Sequence, residues 1–174
     1  MTLPITPQPE SQPSLDALKE VMDAFKDTPI KPRILVFVLD GSNSEPEKMG
    51  AVLSEYGAEP EVLRVVANEV GKSSLRSFLK AKMRFNITPT EKEGQFKYDT
   101  RLVLLDQHLH VRGWPTKSRG WDFEKVDRYE KEYAAALEVR PKDQVNPLPM
   151  TTPLLRKMLI DSINYLYANP DEKG

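Results

Sequence analysis

Arg33–Asp40 reads RILVFVLD and runs directly into Gly41-Ser42-Asn43-Ser44-Glu45-Pro46. The first stretch is a continuous apolar run rich in β-branched and aromatic residues, too short for a buried helix and bounded by Pro32 and Gly41. It predicts a strand buried on both faces, which requires a sheet covered by helices. The second stretch supplies such a helix. Ser44 and Glu47 form an S-x-x-E capping box, and Pro46 falls in the first turn, where its missing donor costs nothing. Met49, Val52, Leu53 and Tyr56 make the apolar stripe, and Gly57 is expected to close the helix as a left-handed C-cap.

Downstream the pattern repeats in kind. Val62–Ala67 is a second short apolar run, and Ser73 opens a helix with Leu75, Phe78, Leu79 and Met83 on one side. Strand, helix, strand and helix imply a parallel β-α-β unit with a right-handed crossover. Ile87–Lys97 is polar, contains Pro89 and Gly94, and reads as a loop. Arg101–Leu105, Asp106–Leu109 and His110–Trp114 then read as strand, tight turn and strand, a β-hairpin. After a loop over Pro115–Gly120, Asp122 is placed to cap a helix carrying Val126, Tyr129, Tyr133 and Leu137.

Toward the N-terminus, Pro4, Pro7, Pro9 and Pro13 disfavour helix, so Met1–Pro13 is expected to be an extended, disordered tail. Ser14 is expected to cap a helix with Leu15, Leu18, Val21, Met22 and Phe25 at helical spacing, ending before Pro29. Toward the C-terminus, Pro141, Pro147 and Pro149 interrupt the chain. Thr152 and Pro153, as N-cap and N1, then open a last helix with Leu154, Leu155, Met158, Leu159, Ile163 and Leu166. Its stripe must pack on the domain or on a partner.

Composition limits the chemistry. With 174 residues and 39% hydrophobic, one ordinary core is expected. Absence of cysteine excludes disulfides, thiol redox chemistry and thiolate-bound metal. Lysine and arginine number 25 against 26 acidic residues, a balance with no global attraction for nucleic acid. The basic positions Lys72, Arg76, Lys80, Lys82 and Arg84 read as a solvated helix face. No apolar run reaches the roughly 18–20 residues of a membrane span. Met1–Pro13 has neither a basic nor an apolar leader region, so the expectation is a soluble chain, cytoplasmic as written and periplasmic if a signal or anchor has been removed.

The order β-α-β-α-β-β-α from Arg33 to Leu137 is that of a thioredoxin-like fold, and the local residues resemble the Sco/SenC family of copper chaperones. In that family the first core strand enters a loop bearing C-x-x-x-C-P at the start of a helix. Here Gly41 and Glu45 stand at the cysteine positions, followed by Pro46. RLVLLDQHLHVRGW, Arg101 to Trp114, looks like the family's late hairpin, and WDFEKVDRYEKEY resembles the helix after it. The family's metal-ligating histidine lies just before this hairpin, where the chain has Tyr98 and Asp99 instead. The resemblance therefore implies an α/β thioredoxin-like domain whose degenerate site has lost two thiolates and an imidazole, the soft donors that select cuprous copper. The expected layout is a tail over 1–13, the domain with its N-terminal helix over 14–140, a proline-rich connection and C-terminal helix over 141–168, and a tail over 169–174. The central sheet is expected to be mixed, with the hairpin beside the parallel strands.

No phosphate-binding loop, dinucleotide fingerprint or hydrolase motif occurs. The leading expectation is a non-catalytic, cofactor-free protein that binds another protein or itself and acts as an assembly or scaffold factor. Trp114, Lys117, Arg119 and Trp121 are the candidate contact residues, since indole and guanidinium groups concentrate at interface hot spots. The alternative is an enzyme of unrelated chemistry, or a hard-metal binder. It would use the Ser42/Ser44 loop or Asp106, His108 and His110, a D-x-H-x-H spacing able to ligate a metal such as zinc.

Overall fold

The structure, a computed structural model, describes residues 2–3, 12–38, 51, 54, 63–66, 72–83, 91–92, 95–96, 100–112 and 120–170. It combines helices with small sheets. The strands are β1 (Thr2–Leu3), β2 (Ile34–Val38), β3 (Leu63–Val66), β4 (Glu91–Lys92), β5 (Gln95–Phe96), β6 (Leu104–Leu105) and β7 (Val111–Arg112). The helices are α1 (Gln12–Phe25), α2 (Lys72–Ala81), α3 (Phe123–Val139) and α4 (Thr152–Ala168), with a 3-10 turn at Lys142–Gln144.

The run that opens the reading is the central strand of a parallel sheet ordered β1-β2-β3. Ile34 pairs with Leu63 and Phe37 with Val66 on one edge, while Phe37 and Val38 meet Thr2 and Leu3 on the other. Ile34 and Phe37 point to opposite faces by strand alternation, and both are buried. The crossover from β2 to β3 lies outside the described residues except for positions 51 and 54, both helical.

Two differences from the expected tail concern the N-terminus. Thr2 and Leu3 form a strand where a disordered segment is expected. An extended segment has no internal hydrogen bonds, and the open edge of β2 offers it a ladder. The helix α1 begins at Gln12, so Ser14 lies inside it rather than at its cap. Pro13 is tolerated in the first turn, and Gln12 Nε2 donates to Asp16 Oδ1 at 2.7 Å one turn on. Ser14 is completely buried, and its hydroxyl has no partner among the described residues.

The hairpin β6–β7 is present but forms its own antiparallel sheet, with Leu104 opposite Arg112 and Leu105 opposite Val111. The single mixed sheet expected from the sequence is therefore not formed among the described residues. The strand expected over Arg101–Leu105 is divided: Leu102 bridges Trp121 through reciprocal backbone bonds of 3.1 and 2.8 Å, and only Leu104 and Leu105 join β7. A further hairpin, β4–β5, lies within the expected loop, hidden by its polar composition.

The core sits where α1, α3 and α4 meet. Leu15, Leu18, Val21 and Phe25 of α1 pack with Phe123 of α3 and Leu155 and Leu159 of α4, joined by Ile34, Leu102 and Trp121. Asp122 caps α3 as expected, its Oδ1 accepting the N–H of Lys125 at 3.0 Å. The stripe of α3 differs from expectation. Phe123 is fully buried, while Tyr129 and Leu137 stay exposed, because only the first part of the helix reaches the core. Likewise Phe78 of α2 is exposed and Leu79 buried. In α4 the N-cap is Thr151, and Thr152 Oγ1 donates to Glu130 Oε2 of α3. Ser162, buried in the stripe, is satisfied by the Met158 carbonyl at 2.8 Å.

The last helix thus completes the core of its own chain. Replacing Phe123 by alanine should cost about 3–5 kcal/mol, measured by urea unfolding. A chain ending at Met150 should lose cooperative unfolding altogether; a cooperatively folding truncated monomer would contradict this packing.

Candidate functional site

Asp106 starts the reversal between β6 and β7. Its N–H donates to the His110 carbonyl at 3.1 Å, and its carbonyl accepts from the N–H of Leu109 at 3.0 Å. Its carboxylate is used more fully still. Oδ1 accepts the N–H groups of His108 and His110, each at 2.8 Å. Oδ2 accepts Nε of Arg112 at 2.8 Å and a terminal guanidinium nitrogen at 2.6 Å. The arrangement is an Asx-type turn locked by a forked ion pair across the hairpin.

The Asp106 side chain is only 6% exposed. Burial pushes its pKa up, but the His110 N–H, the Arg112 guanidinium and the His108 N–H together overcome this. The carboxyl is held below the ordinary aspartate range.

Leu109 is the residue this lock controls. Its φ is 63°, in the left-handed region that a branched apolar residue rarely enters, and it is 73% exposed. His108 and His110 flank it with ring centroids 6.1 Å apart. Gln107 Nε2 donates to the Pro170 carbonyl at 2.8 Å, tying the tip to the chain just beyond α4. On α4, Tyr165 and Tyr167 are also exposed.

Below the tip lies a cleft of about 920 Å³ between β2, the β6–β7 hairpin and the end of α4. Ile34, Leu35, Phe37, Leu104, Ile163 and Leu166 supply apolar wall, and Asp106 and Arg112 also line it. A polar groove of about 530 Å³ is lined by residues of α1, α3 and α4 on another side. Its charges include mutual pairs, Arg156 with Glu20 and Lys131 with Asp127.

The expected site residues fare differently. Gly41, Ser42, Ser44, Glu45, Pro46, Tyr98 and Asp99 lie outside the described residues, as do Trp114, Lys117 and Arg119. Trp121, expected at a contact surface, is 4% exposed and belongs to the core, where Leu102 pairs with its backbone. Asp106, His108 and His110 share the turn but do not converge on a metal position. Backbone N–H groups and Arg112 occupy both Asp106 oxygens, and no set of three or more metal-binding side chains exists among the described residues. Sequence reasoning missed the lock and the posture of Leu109. The available signal was an aspartate opening a turn, with an arginine placed to return beside it on the second strand.

Asp106 has a lowered native pKa, so its contribution is complete above pH about 4 and is lost as pH falls through that native value. Asp106→Asn should be less stable than wild type by about 1.5–3 kcal/mol at pH 6 in urea unfolding. The difference should shrink as pH is lowered toward 2; a pH-independent difference would show that the carboxylate charge is not what holds the turn. These assignments come from the chain's own geometry, since it matches no family model, no curated protein and no solved structure.

Proposed function

We propose that this chain is a non-catalytic protein that acts by binding another protein, as an assembly or scaffold factor, through the hairpin tip at Leu109 and the adjoining end of α4. The observation that carries the proposal is the display of Leu109. An apolar side chain in water gains nothing from folding, and the left-handed backbone costs about 1–2 kcal/mol. Asp106 nevertheless holds it there with backbone bonds and the Arg112 pair. Strain maintained at an exposed position is a mark of recognition surfaces. Tyr165 and Tyr167 add exposed aromatic area of the kind enriched at interfaces.

The finer proposal is a thioredoxin-like domain resembling the Sco/SenC family, with its copper and redox chemistry lost. The parallel pairing of β2 with β3 and the later hairpin support it. The absence of cysteine bears only on the loss of that chemistry, since it removes the soft donors such a site requires.

Leu109→Gly separates display from stability. It relieves the left-handed strain, so its thermal midpoint should stay level or rise, while affinity for a partner co-purified with the wild-type chain should fall by about tenfold or more. Unchanged retention of every partner by this variant would refute the tip as the contact surface. Titration with cuprous ion tests the loss of metal chemistry; stoichiometric binding tighter than micromolar would overturn it.

A further inference from the structure

We infer that the cleft between β2, the β6–β7 hairpin and the end of α4 binds an anionic amphiphile, a single acid head group on an apolar body. Its volume of about 920 Å³ lies within the range of small-molecule sites, roughly 300–1,000 Å³. Three separate elements supply its apolar wall, so a bound hydrocarbon chain would contact Leu35, Leu104 and Leu166 rather than one helix face.

Charge at the cleft selects the head group. The only carboxylate lining it among the described residues is Asp106, and Arg112 neutralises that charge at 2.6 Å. Lys31 and Arg33 also line the cleft on the segment entering β2. Both are exposed, and neither forms an ion pair with a described residue. The Lys31 ammonium donates to the Lys26 carbonyl at 2.9 Å, which leaves two of its three donors for a ligand. Among the described residues the uncompensated charge at this edge is therefore positive. An anionic head gains from it, a cationic head is repelled, and an uncharged apolar molecule gains nothing. Leu109 and Tyr167 also line the cleft, but its remaining walls and charges carry this inference without protein binding at the tip.

Calorimetric titration with dodecanoate and with dodecyltrimethylammonium, both below their micellar concentrations, tests the inference on the full chain. Dodecanoate should bind saturably with one site per chain, and the cationic surfactant about tenfold more weakly or not at all. The double variant Lys31→Glu/Arg33→Glu, at exposed positions that carry no core contact, should weaken dodecanoate about tenfold and remove the preference between the two surfactants. Leu166→Trp, which fills the cleft, should reduce binding of both; if that variant does not fold, the charge reversal decides alone. No saturable dodecanoate binding up to millimolar concentration overturns the inference. So does equal binding of the two surfactants, or an affinity indifferent to the charge reversal.

Discussion

The shared apolar core in which Leu15, Phe123 and Leu159 are buried is what the remaining architecture rests on. These side chains come from α1, distant in the chain, and from the successive helices α3 and α4, and each is nearly or wholly removed from water. Burying a side chain of this size contributes about 1.5–3 kcal/mol. The sheets are too small to be stable alone, since short strands need a packed face. Ile34 anchors β2 to the helical core, Leu102 and Trp121 anchor the segments flanking the hairpin, and Leu104 packs at its margin.

That dependence explains how the hairpin can hold a costly tip. Leu102 and Trp121 fix its base through backbone bonds and burial, leaving the turn to be shaped by polar contacts. Asp106 then satisfies two backbone donors and one guanidinium with a single carboxylate. Charged hydrogen bonds of this kind are among the stronger local interactions, roughly 1.5–3 kcal/mol, enough to offset one residue in the left-handed region. Specific structure at an exposed position is thereby maintained by groups that are themselves nearly buried.

The same arrangement shapes the cleft. Because β6 pairs with β7 rather than with β2 among the described residues, the space between β2 and the hairpin is lined by side chains from both. The end of α4 forms a further wall, and the bond from Gln107 to Pro170 keeps the hairpin tip beside it. The neutralised Asp106 and the cationic Lys31 and Arg33 give this apolar space an electrostatic direction.

Local features were legible in the sequence. The apolar run RILVFVLD read as a strand buried on both faces, and Ile34 and Phe37 occupy opposite buried faces. Asp122 marked the start of α3, and the hairpin was placed at Asp106 between its two apolar runs. Such features depend on neighbours in sequence: period, capping chemistry and turn residues. Tertiary structure decided the rest. It determined that Phe123 rather than Tyr129 meets the core, that Trp121 packs inward, and that Asp106 locks the turn through backbone N–H groups and Arg112. It also decided that, among the described residues, the hairpin pairs apart from the parallel sheet. The physical reason is that periodicity specifies which residues share a face, whereas the partner of that face, and the posture of a residue such as Leu109, depend on contacts between segments distant in the chain.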